Sequence, residues 1–154
     1  MRRLVPVLLV IAFAACSPGG SRMTDDELRV FATRYATAWS TQDPERFAAF
    51  YEEDGVLRIN DDESAGRAAI AATAAGFMAN FPDMVVDLVA VKFEGEGARF
   101  DWRWTGTNRG PGGTGRSVDM TGYEEWTFGP NGLIARSQGH LDQAEYDRQM
   151  GATD

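Results

Sequence analysis

The chain has 154 residues, 23 Asp and Glu against 15 Lys and Arg, and a formal net charge of −8. With 44% hydrophobic and 25% charged residues it has the apolar content a disordered chain lacks, and its length suits one domain that folds without staples. The acidic balance argues against a nucleic-acid partner, because phosphate binding needs a clustered positive face.

A basic start, Met1-Arg2-Arg3, precedes an apolar run over residues 4–13 and then Ala14-Ala15-Cys16. This is the charged, apolar and small-residue order of a secretory signal. The apolar run is about half of the ~20 residues that a membrane-spanning helix needs. Phe13-Ala14-Ala15-Cys16 resembles a bacterial lipoprotein cleavage box, with Phe13 where Leu is usual, and Cys16 is the one cysteine of the chain. The resemblance implies removal of residues 1–15, lipidation of Cys16, and passage to the outer membrane, which Ser17 favours over Asp. An ordinary cleavage site beside an incidental cysteine is the alternative. Residues 16–23, with Ser17-Pro18-Gly19-Gly20-Ser21, read as a flexible tether, residues 24–150 as one domain, and residues 151–154 as a tail.

Thr24-Asp25-Asp26-Glu27 is a capping box, and Leu28, Phe31, Ala32, Tyr35 and Trp39 follow at helical spacing. Asp43-Pro44 starts a second helix that carries Phe47, Phe50 and Tyr51 and stops near Asp54-Gly55. Residues 56–60 read as a short strand and residues 61–66 as a polar loop. Ile70, Ala74, Phe77, Met78 and Phe81 mark one face of a third helix over 67–81, ended by Pro82. From Asp83 the period becomes two. Strands are expected over 85–93, around Phe100-Asp101-Trp102-Arg103-Trp104, over 116–128 and over 133–142, with turns at Gly95-Glu96-Gly97 and Pro130-Asn131-Gly132. Residues 144–150 close the domain as a short helix. The fold class is α+β: a curved antiparallel sheet with helices on one face, forming a cone with a pocket at its wide end.

The order of elements, together with Trp104-Thr105-Gly106-Thr107-Asn108, the glycine loop to Thr114-Gly115-Arg116, and Gly132-Leu133-Ile134 with Asp142, resembles the SnoaL-like polyketide cyclase branch of the nuclear transport factor 2-like superfamily. It covers residues 24–150. The resemblance implies a small-molecule pocket, ring-closing, isomerising or hydrating chemistry in some members, and a homodimer through the outer sheet face. It also implies an aspartate acid–base at Asp142, whereas Asn108 stands where many cyclases carry a histidine.

The last strand gives two readings. Ile134, Arg136, Gln138, His140 and Asp142 share one face, and Leu133, Ala135, Ser137, Gly139 and Leu141 share the other. If Ile134 looks inward, Gln138, His140 and Asp142 line the pocket, with His140 as proton carrier, Asp142 as its partner or base, and Gln138 and Asn108 as orienting donors. With the opposite parity His140 is a solvated surface residue. Asp142 is also the N-cap of the closing helix, with Glu145 in the N3 place.

Glu124 has the inward parity of Trp126 and Phe128, unless Gly122 carries a bulge; a cross-strand salt bridge is the plainer reading. Tyr35 and Trp39 are core residues or pocket walls with polar tips, as are Trp102 and Trp104. Asn60 and Asn108 end strands, where they donate to a bound oxygen or make turns. The G-x-G-x-x-G match at Gly110-Pro111-Gly112-Gly113-Thr114-Gly115 leads into a strand pattern and so lacks the helix a dinucleotide site needs. One histidine and scattered carboxylates give no transition-metal spacing. Asp61-Asp62-Glu63 suits calcium or, more simply, solvent. Two functions remain: cofactor-free acid–base catalysis on a small apolar carbonyl compound, or a non-catalytic ligand-binding or interaction module, in either case touching the membrane only through its lipid.

Overall fold

A computed structural model of the chain describes residues 23–151. The signal segment, Cys16, the tether as far as Arg22 and residues 152–154 lie outside the described residues. α1 (Asp25–Ser40) starts with both halves of the expected capping box: Glu27 N donates to Thr24 Oγ1 at 3.3 Å, and Thr24 N donates to Glu27 Oε2 at 2.8 Å. It buries Leu28, Ala32, Tyr35, Ala36 and Trp39 as one stripe. α2 (Pro44–Ala48) is capped by Asp43, whose Oδ1 accepts from Arg46 N at 3.0 Å.

That second helix is shorter than its sequence suggests. Ile134 N donates to Phe50 O at 2.9 Å and draws the chain into the sheet, so Tyr51 opens β1 (Tyr51–Ile59) instead of closing a helix. Sheet pairing here outweighs local helical pattern. Asn60, at φ 51, turns the chain tightly, and the expected polar loop forms a short edge strand, β2 (Asp62–Ala65), antiparallel to β1. Its acidic residues suit an edge, because charge there discourages pairing with another chain.

α3 (Arg67–Asn80) leads into the predicted meander of β3 (Val85–Glu94), β4 (Gly97–Thr107), β5 (Ser117–Phe128) and β6 (Ile134–His140), closed by α4 (Gln143–Met150). The six strands form one sheet in the order β2-β1-β6-β5-β4-β3. β1 runs parallel to β6, a departure from the all-antiparallel expectation. Where β5 extends past β6, the Gln149 side-chain amide takes the place of a strand: it accepts from Asp119 N at 2.8 Å and donates to Asp119 O at 3.0 Å. Phe100, Trp102 and Trp104 of β4 and Val118, Met120 and Trp126 of β5 are buried. Arg99, Arg103, Asp119 and Glu125 alternate with them on the charged outer face.

Candidate active site

Glu124 is the polar centre of the inner face. The β4–β5 ladder runs unbroken from Ala98↔Trp126 to Thr107↔Ser117, so Gly122 carries no bulge and Glu124 keeps the parity of Trp126. Among the described residues its side chain meets no cation, which overturns the salt-bridge reading. Instead one oxygen, Oε2, accepts three hydrogen bonds: from Tyr35 Oη at 2.8 Å, Trp126 Nε1 at 2.9 Å and Ser137 Oγ at 2.7 Å. A second hydroxyl, Tyr51 Oη, lies 2.9 Å from Tyr35 Oη. The other carboxyl oxygen, Oε1, has no hydrogen-bond partner among the described residues.

Glu124 is only 6% exposed. Burial pushes its pKa above the ordinary carboxylate range, against the pull of the bonds from Trp126, Ser137 and Tyr35, which favour the ionised form. Burial and then the Glu124 charge likewise raise Tyr35 and Tyr51 well above a normal phenol.

Glu124 lines an apolar slot together with Trp39, Phe77, Met84, Trp102 and Trp104. The slot has a water-accessible volume of about 60 Å³. Gly122 makes room for one wall: a Cβ there would stand 2.3 Å from Trp102 Cζ2 and 2.5 Å from His140 O.

The inward orientation that Gln138 and His140 would share with Ile134 does not hold. Trp126 pairs with Ser137 and Glu124 with Gly139, which puts Ser137 and Gly139 on the inner face. The register then shifts between Thr127 and Phe128, where Ala135 is the extra residue, so Ile134 and Ser137 are both buried although three positions apart. Arg136, Gln138 and His140 therefore share the outer face. His140 belongs to the rim of the slot, but its imidazole stacks on Tyr123 at 4.3 Å, and Nε2 lies 2.9 Å from Glu125 Oε2. Both of those partners alternate with Glu124 and face outward.

Asp142 caps α4: its Oδ1 accepts from Glu145 N at 3.0 Å. Glu145 is bound by Arg148 and Gln149, which hold its pKa down to about 2. The three amides expected at the pocket serve the backbone instead. Asn60 exchanges hydrogen bonds with Leu141, accepting from its N and donating to its O, both at 2.9 Å. Gln138 Nε2 donates to Asn60 O at 3.1 Å. Asn108 Oδ1 accepts from Thr114 N at 2.6 Å within the glycine loop, and that loop leads into β5 rather than a helix.

Of the residues proposed from sequence, Tyr35, Trp39, Trp104 and Glu124 thus come together, with His140 at the rim and its imidazole turned outward, whereas Asn60, Asn108, Gln138 and Asp142 do not line the slot. Tyr51, Trp126 and Ser137 were missed. Trp126 carried a legible signal, the parity it shares with Glu124, but no local pattern announces the bulge that turns Ser137 inward. Glu63, in the acidic run, pairs with Arg58 at 3.0 Å. Among the described residues no group of His, Cys, Asp and Glu is placed to hold a metal ion.

Residues 32–137 match the family model of the SnoaL-like domain, more than half of the chain. The chain belongs to the SnoaL-like domain family. Solved structures of the same fold include TsrD from Streptomyces laurentii, at TM-score 0.73 and 16% identity over 84% of this chain and 98% of that one. A candidate SnoaL-like polyketide cyclase from Jannaschia sp. CCS1 aligns at TM-score 0.66 and 16% identity, over 81% and 94% of the two chains. AclR, a candidate hydroxylase from Streptomyces galilaeus, aligns at TM-score 0.72 and 19% identity over 85% and 100%. At such identities these SnoaL-like and related structures establish the fold alone. No curated protein sequence matches the chain.

Proposed function

We propose that this SnoaL-like domain performs acid–base chemistry, without a cofactor, on a small apolar carbonyl compound, with Glu124 as the group that takes and returns the proton. The lopsided bonding of its carboxyl carries this reading: Oε2 is held by three neutral donors, while Oε1 has none and the residue lines an otherwise apolar slot. A pKa lifted toward the working pH makes a carboxyl a better proton carrier. Fixing one oxygen also orients the other. In the step envisaged, Glu124 Oε1 takes a proton from a carbon acidified by the carbonyl, and the electron pair of the broken C–H bond moves onto the carbonyl oxygen. Once the Glu124 carboxyl has traded that proton for one from solvent, delivery to the same carbon gives exchange, and delivery to a conjugated carbon gives isomerisation. A candidate polyketide cyclase among the fold relatives suits a carbonyl-bearing substrate.

The narrowness of the slot favours a second reading, a non-catalytic binding pocket. Incubation with 2-cyclohexenone in D₂O separates the two. Exchange of its acidic C–H protons above the buffer rate in wild type, lost in Glu124→Gln, supports the enzyme. Binding without protein-dependent exchange defeats it. The sequence also supports an envelope lipoprotein, lipidated at Cys16 and tethered through residues 16–23. Mass spectrometry of the mature N-terminus tests this: an unmodified Cys16 or an uncleaved signal contradicts it.

A further inference from the structure

Among the described residues two buried side-chain nitrogens lack a hydrogen-bond partner, Arg58 Nε and Trp104 Nε1. Arg58 meets Glu63 through its Nη2 and reaches solvent. Trp104 has no second polar atom. It is 5% exposed, lines the slot, and is clamped by rings: Phe81 edge-on at 4.8 Å, Phe77 edge-on at 5.8 Å and Tyr146 stacked at 6.0 Å. A buried N–H without an acceptor is rare in native proteins and unfavourable, and here the residue that carries it lines a cavity that otherwise offers almost no polar atoms.

We propose that the Trp104 Nε1–H is the donor that binds the carbonyl oxygen of the slot's ligand. The inference rests on the reading of the slot as the site for a small carbonyl compound, and it narrows that class. The acceptor is neutral, because an anion would bring a second negative charge toward Glu124, no Lys or Arg lines the slot, and the His140 imidazole is turned away onto Tyr123 and Glu125. Along β4, Trp104 stands four residues from Phe100, the partner of Glu124, which separates them by about 13 Å along the strand. The indole and the carboxyl therefore grip different ends of the ligand. A conjugated enone fits, since conjugation acidifies a C–H bond remote from its oxygen. Trp104 is a specificity-determining residue in this scheme, and the proton step belongs to Glu124.

The indole region of a ¹H–¹⁵N spectrum reads this directly, because the chain has four tryptophans. 2-Cyclohexenone and acetophenone are titrated against their methylene isosteres, 3-methylenecyclohexene and α-methylstyrene, which replace C=O by C=CH₂. The expected result is that the Trp104 N–H signal moves downfield with the ketones only, while Trp39 and Trp102 signals respond to all four. Trp104→Phe assigns the signal and weakens ketone binding about two- to tenfold, the effect of one hydrogen bond, with the isosteres unchanged. Backbone-directed assignment replaces the variant should it not fold. Binding seen at Trp39 or Trp102 with no ketone-specific shift at Trp104, or equal weakening of ketones and isosteres, overturns the donor and leaves the slot standing. The absence of any indole response to all four probes overturns the reading of the slot and the donor with it.

Discussion

Tyr35 and Glu124 stand 89 residues apart in the chain and meet through a 2.8 Å hydrogen bond, so the first helix is latched to the carboxyl on β5. The ring is wedged among Phe47, Phe50, Phe100 and Trp126. Tyr35→Phe preserves that packing and removes the hydroxyl, leaving Tyr51 Oη without its partner there. The expected cost is about 1–3 kcal/mol in urea unfolding. The same change deprives the ionised carboxylate of a donor, so the Glu124 pKa should rise further.

Stability should carry the signature of Glu124. Its folded pKa lies above the unfolded value near 4.5, so between the two the native state holds a proton that the unfolded state has released. The contribution is fully present below the unfolded pKa and is lost as pH rises through the folded one. Asp83, Asp119 and Glu145, whose pKa values are lowered, act in the opposite sense at lower pH, so the difference between wild type and Glu124→Gln is the informative quantity. Urea midpoints from pH 4 to 9 should fall more steeply in wild type, and parallel curves would contradict the assignment.

Gly122 should not tolerate a side chain. A methyl group there meets the ring of Trp102 and the carbonyl of His140, the latter backbone that cannot swing aside. Gly122→Ala is expected to destabilise by about 1–3 kcal/mol and to change the Trp102 environment seen by near-UV circular dichroism.

Asp142 offers a clean contrast between capping and chemistry. Asp142→Ala should cost about 1 kcal/mol through loss of the α4 cap, and Asp142→Asn only a few tenths. Neither should alter ketone proton exchange, because Asp142 does not line the slot; loss of exchange in Asp142→Asn would restore the sequence-based assignment.

Much of this architecture was legible in advance. The capping box at Thr24, the Asp43-Pro44 start, the third helix and the four-strand meander all follow from local signals, and each forms. The site was less legible because it depends on register. Period-two parity places Glu124 correctly since its strand is regular, but it misplaces His140 and Gln138 because one extra residue, Ala135, resets the face of β6 after Ile134. Tyr51 was lost to a similar cause: a long-range hydrogen bond between Ile134 and Phe50, invisible in local sequence, ends a helix that its own pattern would extend.

The central claim is that one buried carboxyl, Glu124, holds its proton into the range where it can exchange it with a ligand. Carboxyl ¹³C chemical shifts of the glutamates, followed against pH in wild type and Glu124→Gln, test it most directly. The account predicts one resonance, absent from the variant, that titrates above all the other glutamates. A Glu124 resonance that titrates with the others, or below them, would contradict it.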